Sequence, residues 1–304
     1  MSKIAFVFPG QGSQYVGMGK ELYEKNEMAK KYFDEIFEKI DFDLKNIMFF
    51  GTEEELKQTK NTQPAIVSMS LVLEKLLKDK GVNPDYVAGH SVGEYAAIGA
   101  AGFLSLEETV KLTALRGKFM NEVATSVSGS MAAVMGMSSD KIKEVLNEVK
   151  GVVEAVNFNE PNQTVIAGEK LAIEKACIIL KEAGAKRAIP LQVSGPFHSS
   201  LMKEAGEKLK SVLGEFNFKD SETDLIANTT GNVVKNIEEL KKEIYEQSFG
   251  PVKWVDTINF LKKQGVTKIY EIGPGKVLAG LIKKIDKEIE VKNIEKLEDF
   301  DNLM

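Results

Sequence analysis

Gly89-His90-Ser91-Val92-Gly93 is the stretch on which the reading of this chain turns. The five residues fit G-x-S-x-G, a turn that lifts a serine hydroxyl out between a strand and a helix. Both flanks agree with that setting. Asp85-Tyr86-Val87-Ala88 has the composition of a short strand, and residues 94–101 are small, apolar and helix-like. Glycine on either side removes side chains that would clash in so sharp a turn. A serine placed there stands at a helix N-terminus, where free backbone N–H groups can bind a developing oxyanion.

Strands and helices alternate outward from this turn. Residues 4–8 read as a first buried strand that runs into Pro9-Gly10-Gln11-Gly12-Ser13-Gln14, and a helical region follows over 21–40. Ile66, Met69, Leu73, Leu76 and Leu77 have helical spacing, predicting a helix over 63–80 that Gly81 ends. Ser105 and Glu108 look like a capping box for the next helix, which carries Arg116. Ser126-Val127-Ser128-Gly129-Ser130 is a small, polar linker. Beyond it come strand 131–135, helix 139–148, strands 152–157 and 164–167, helix 170–183 and strand 187–191. The order βαββαβ is a ferredoxin-like split pattern, so residues 127–194 read as an inserted small domain. The main domain, residues 1–126 and 195–304, resumes with helices 201–213, 236–247 and 252–264 and strands 225–228 and 268–272. Gly273-Pro274-Gly275 then turns the chain into helix 277–283. Such alternation implies an α/β fold, a sheet with helices on both faces.

The bulk properties set limits. At 304 residues the chain can bury a large core. A net charge of −5 argues against general nucleic-acid binding, which calls for a basic surface, but leaves a local basic patch open. The single cysteine, Cys177, excludes an internal disulfide and points to a reducing compartment. It shares an apolar helix face with Ile173, Ala176, Ile179 and Leu180, which places it in the core. No apolar run approaches the ~18–20 residues of a membrane span. The expectation is a soluble, cytoplasmic protein without metal or cofactor, since no His/Cys cluster has metal-ligand spacing.

A serine is a weak nucleophile until a base takes its proton, and histidine is the usual base. His90 and His198 are the only histidines, and His90 points elsewhere on the turn, so His198, after Gly195-Pro196-Phe197, is the candidate. The plainer alternative is a surface or helix-capping histidine. No acid stands at a main-sheet strand end between Ser91 and His198, so the pair is expected to use a non-acidic orienting group. Of 40 basic residues only Arg116 and Arg187 are arginine. Arg116, one helix beyond the serine, reads either as a clamp for a substrate carboxylate or as a surface ion pair. Arg187 lacks such a context. The loop at Gln11 has neither phosphate-loop spacing, which leaves its backbone amide as a possible second oxyanion donor.

Phe8-Pro9-Gly10-Gln11-Gly12-Ser13-Gln14, Gly89-His90-Ser91-Val92-Gly93-Glu94-Tyr95, Gly195-Pro196-Phe197-His198-Ser199 and Glu271-Ile272-Gly273-Pro274-Gly275 occur together and in order. In this the chain closely resembles the malonyl-CoA:acyl-carrier-protein transacylases of bacterial type II fatty-acid synthesis, over essentially its whole length. The resemblance implies a hydrolase-like main domain, with a largely parallel sheet, and a ferredoxin-like insert. It implies Ser91 as the acylated nucleophile, His198 as its base and the Gln247 backbone carbonyl as the orienting group. Gln11 and Val92 would supply the oxyanion amides, and Arg116 would hold the malonyl carboxylate. Asn157 and Asn159 match a substrate-side loop, and Phe197 fits a preference for malonyl over methylmalonyl. The implied partners are malonyl-CoA and holo acyl carrier protein, with no nucleic acid or membrane, and the implied state is a monomer. A serine thioesterase or esterase, and an acyltransferase for another extender unit, are the competing readings.

Overall fold

The structure, a computed structural model, describes residues 3–221 and 223–303. Its strands are β1 (Lys3–Phe8), β2 (Tyr86–Gly89), β3 (Gly129–Met135), β4 (Val153–Glu160), β5 (Gln163–Glu169), β6 (Arg187–Pro190), β7 (Asp224–Ile226), β8 (Val266–Ile272) and β9 (Glu290–Ile294). They form two sheets. The larger is parallel throughout, in the order β7-β2-β1-β8-β9. The smaller is antiparallel throughout, in the order β4-β5-β3-β6.

Strand β1 lies at the centre of the parallel sheet and is apolar on both sides, as a strand covered on both faces must be. Phe6 and Phe8 join the cluster formed with helices Thr59–Asp79 and Gly93–Ala101. Ala5 and Val7 face the opposite way, toward Trp254, Ile258, Leu261 and Ile282. The register matters for the site. Phe8 pairs with Gly89, and His90 N–H donates to Phe8 O at 3.0 Å, so β1 and β2 end level with each other. Their following loops therefore meet at the C-terminal edge of the sheet, where open α/β sheets place their sites.

The smaller sheet has the strand order of the βαββαβ pattern. Helices Ser139–Leu146 and Lys170–Glu182 cover one face, packing Ile142, Ala176 and Leu180 on Ala132, Val134 and Ile166. Cys177 lies in this layer, as expected, and burial pushes its thiol up. On the other face Met131, Ala133, Val165 and Ala167 meet Met120 and Val123 of the long helix Leu106–Ser126. Strand β4 is also tied by backbone to the segment before helix Trp254–Lys263: Val252 N–H donates to Val156 O at 2.8 Å and Phe158 N–H to Val252 O at 2.9 Å.

Several boundaries differ from the sequence reading. The region 21–40 breaks at Asn26, whose side chain accepts from Ala29 N and starts a new helix, Glu27–Phe37. The helix expected from 63 begins at Thr59 and holds Pro64 inside it. The turn before that proline is tied down by Asn61 and Thr62, which donate to Glu55 O and Leu56 O. Ser105 caps its helix, but the Glu108 carboxylate accepts from Asn217 N instead of closing the box. Strand β9 and the short helices Leu44–Phe50 and Glu53–Lys57 have no counterpart in the sequence reading. Glu290-Val291-Lys292-Asn293 in β9 is too polar to announce a strand, and its pairing with β8 forms it.

Candidate active site

The elbow is tight because its glycines have no room to be anything else. A β-carbon on Gly89 would run into the backbone of Gly93, and one on Gly93 into Phe8 O. The turn itself strains the serine, which takes φ +53°. His198 has φ +66°, and these two are the only non-glycine residues with positive φ among the described residues. Such backbone costs on the order of 1–3 kcal/mol each and persists only where the surroundings enforce it.

The two strained residues meet. Ser91 Oγ lies 2.7 Å from His198 Nε2. His198 is buried, and its Nδ1 is 2.9 Å from Gln247 O and 3.1 Å from Gly250 O. Carbonyl oxygens only accept, so the proton sits on Nδ1 and Nε2 is left to accept from the serine. No acid is needed to fix this tautomer. Burial drives the His198 imidazole down to about 3, and the positive charge of Arg116 and the proximity of His90 add to the effect. The ring is therefore neutral, the form a base requires.

Arg116 comes from the helix Leu106–Ser126 and is fully buried, which removes the surface ion-pair alternative. Its Nη2 approaches Ser91 Oγ at 3.4 Å. Nε and Nη2 both donate to Gln247 Oε1, at 3.2 and 2.8 Å, and the guanidinium carbon stands 5.1 Å from the Tyr95 ring centroid. Nη1 has no hydrogen-bond partner among the described residues. Gln247 does more than the sequence suggested: besides its carbonyl on His198 and its side-chain oxygen on Arg116, its Nε2 donates to Ser91 O at 2.6 Å.

The remaining expected residues lie around this centre. The backbone of Gly10 abuts His90 O, so the loop carrying Gln11 borders the elbow, and Gln11 Nε2 donates to Thr59 Oγ1 at 3.4 Å. Val92 is buried and caps the helix Gly93–Ala101. Asn159 Oδ1 is 2.8 Å from His90 Nε2, joining β4 to the elbow. Asn157 is buried, with Oδ1 unpartnered among the described residues. The Phe197 ring packs between the long helix and the smaller sheet, beside Met120 and Met202.

Sequence reasoning missed Asn228, at the end of β7. Ser91 N–H donates to Asn228 Oδ1 at 2.8 Å, and Asn228 Nδ2 donates to Gly89 O at 2.6 Å. Its position just beyond a parallel strand was the one available signal. Among the described residues no cluster of acids, histidines and cysteine could hold a metal ion, and no helix is long and apolar enough to cross a membrane.

Known proteins resemble this chain in sequence and in fold. Residues 5–296 match the acyl transferase domain. The malonyl CoA-acyl carrier protein transacylase of Bacillus subtilis is 47% identical over 293 residues, covering 95% of this chain and 92% of the relative. That of Staphylococcus aureus is 41% identical, covering 98% and 97%. An acyl carrier protein S-malonyltransferase from Vibrio cholerae superposes with a TM-score of 0.96 at 38% identity, each chain covered completely. A malonyl-transacylase solved in complex with its type II PKS acyl-carrier protein gives 0.94 at 38% identity, covering 98% and 97%. By sequence and by fold, the chain belongs to the acyl transferase domain family, among relatives that are malonyl CoA-acyl carrier protein transacylases.

Proposed function

We propose that this chain transfers the malonyl group of malonyl-CoA to the phosphopantetheine thiol of acyl carrier protein, through a malonyl ester on Ser91. One observation carries the reading: a buried guanidinium, Arg116, keeps an N–H unpartnered among the described residues and stands beside a serine already hydrogen-bonded to a neutral histidine. A buried cationic donor without an acceptor is costly, and an acyl group ending in a carboxylate would satisfy it.

In the first half-reaction Ser91 Oγ attacks the thioester carbon while its proton passes to His198 Nε2. The oxyanion is held by the amides of Gln11 and Val92. The Ser91 amide is already spent on Asn228, so the next amide, at the helix N-terminus, takes this role. Collapse breaks the C–S bond, and the coenzyme A sulfur leaves with the proton from His198. In the second half-reaction the carrier thiol gives its proton to His198, attacks the ester carbon, and Ser91 recovers its proton as the C–O bond breaks. The route is ping-pong with a covalent intermediate. Asn157, Asn159 and Phe197 border the acyl and pantetheine side in this reading. The enzyme acts in the cytoplasm as a monomer.

Intact-protein mass spectrometry tests it. Wild type mixed with malonyl-CoA alone should gain one malonyl adduct, which holo acyl carrier protein then removes, and Ser91→Ala should gain none. Steady release of free malonate without an adduct would establish a hydrolase instead. A preference for another acyl-CoA in competition would make it a transferase of a different extender unit.

A further inference from the structure

Two buried acids stand behind the elbow, and the chemistry above uses neither. Glu94, three residues past the nucleophile, is 1% exposed, and Glu243, on the helix Ile237–Gln247, is 5% exposed. Burial raises the values of both carboxyls. Both grip the same short loop after β7. Glu94 Oε1 accepts from Asn228 N at 2.8 Å. Glu243 accepts from Thr229 N at 2.9 Å and from the Thr229 hydroxyl. The gripped loop in turn holds the elbow, because the Asn228 side chain accepts from Ser91 N and donates to Gly89 O.

We infer that Asn228 and Glu94 are positioning residues for the nucleophile: Glu94 fixes the Asn228 backbone, and the Asn228 side chain clamps the elbow on both sides of Ser91. The inference rests on Ser91 being the nucleophile. It explains how a serine can be held at φ +53°, since the groups on either side of the turn are tied to one side chain. It also explains why the Ser91 amide is unavailable to an oxyanion. Burial raises both carboxyls, and the neighbouring Glu243 carboxylate pushes Glu94 further, well above the usual range. A carboxylate neighbour in a dry site favours the protonated form of Glu94, and the Asn228 N–H needs only an acceptor, charged or not. A glutamine at position 94 keeps that acceptor and can donate to the Glu243 carboxylate in place of the proton. An alanine does neither. An aspartate at position 228 accepts from Ser91 N–H but cannot donate to Gly89 O.

Single-turnover acylation by malonyl-CoA, without acceptor, followed by intact mass at a series of malonyl-CoA concentrations, tests this, with thermal melting as the check on folding. Glu94→Ala and Asn228→Ala should slow the maximal acylation rate by about 10²-fold, the size expected for a displaced reacting group, with half-saturation changed less than about threefold. Glu94→Gln should recover to within about fivefold of wild type, while Asn228→Asp should stay as slow as the alanine variant, within about threefold. The inference is overturned if either alanine variant melts as a folded protein and acylates at the wild-type rate, or loses affinity and not rate. If Glu94→Ala does not fold, the two Asn228 variants decide by the same criteria. A normal adduct on Ser91→Ala would overturn the nucleophile and this clamp together. A silent Ser91→Ala with a fast Asn228→Ala would overturn the clamp alone.

Discussion

Arg116 and Gln247 are locked to each other in the buried floor of the site: one side-chain oxygen of the glutamine accepts from both Nε and Nη2 of the arginine. They come from helices far apart in sequence, Leu106–Ser126 and Ile237–Gln247. The contact turns the guanidinium so that Nη2 reaches Ser91 Oγ and Nη1 remains for a ligand. In the proposed function, selectivity and attack are thereby built on one fixed arrangement.

Arg116→Ala should collapse the discrimination between acyl donors. A malonyl carboxylate left unpaired in a buried site loses its charged partner, so the ratio of malonyl to acetyl acylation should fall by at least about 10²-fold. Competition between malonyl-CoA and acetyl-CoA for the enzyme, read by mass, measures that ratio. A ratio near wild type would mean that the carboxylate binds elsewhere.

Gln247→Glu should occupy the arginine with an internal carboxylate. The substrate then competes with a charge already in place, and the KM for malonyl-CoA should rise by about tenfold or more. Steady-state kinetics with holo acyl carrier protein in excess checks it. An unchanged KM would show that the Gln247 side chain does not set the arginine's charge balance.

The pH response follows from His198. Its imidazole is lowered from the ordinary 6.5 to about 3, so the free enzyme keeps its base neutral across the physiological range. Acylation should therefore show no fall as pH drops through about 6.5, the ordinary histidine region. The unfolded chain binds this proton more readily than the folded one. The stabilisation is therefore full above about 6.5 and erodes as pH falls toward the lowered value. Removing the Arg116 charge should raise the His198 value. With only two histidines in the chain, NMR of the imidazole protons resolves the change, and a lowered or unmoved midpoint in Arg116→Gln would contradict the assigned cause.

Glu271 supplies a test of the fold apart from the chemistry. From the end of β8 its carboxylate accepts from Leu278 N at 2.9 Å, Ala279 N at 2.7 Å and Asn293 Nδ2 at 2.8 Å, capping the helix Val277–Ile285 and holding β9. Glu271→Ala should cost about 2–4 kcal/mol, the sum of a lost cap and buried donors left without an acceptor. Urea denaturation measures it, and a loss below about 0.5 kcal/mol would mean that water or a neighbour replaces the carboxylate.

Local chemistry in the sequence determined a good deal. Gly89 and Gly93 around Ser91 announced a strand–turn–helix because no other residue fits so close a backbone approach. The period-2 and period-3.6 patterns gave the alternation of elements and the βαββαβ order, since each depends only on neighbours along the chain. Tertiary structure decided what depends on distant partners. Strand β9 exists because β8 offers it a ladder, and Pro64 sits inside a helix because Asn61 and Thr62 anchor the turn before it. Arg116 is buried and Gln247 has three tasks because two helices 131 residues apart in sequence converge there. Asn228 and Glu94 carry no motif that links them to Ser91. Their place at the elbow is set by the parallel order of β7, β2 and β1, which brings three strand ends to one edge.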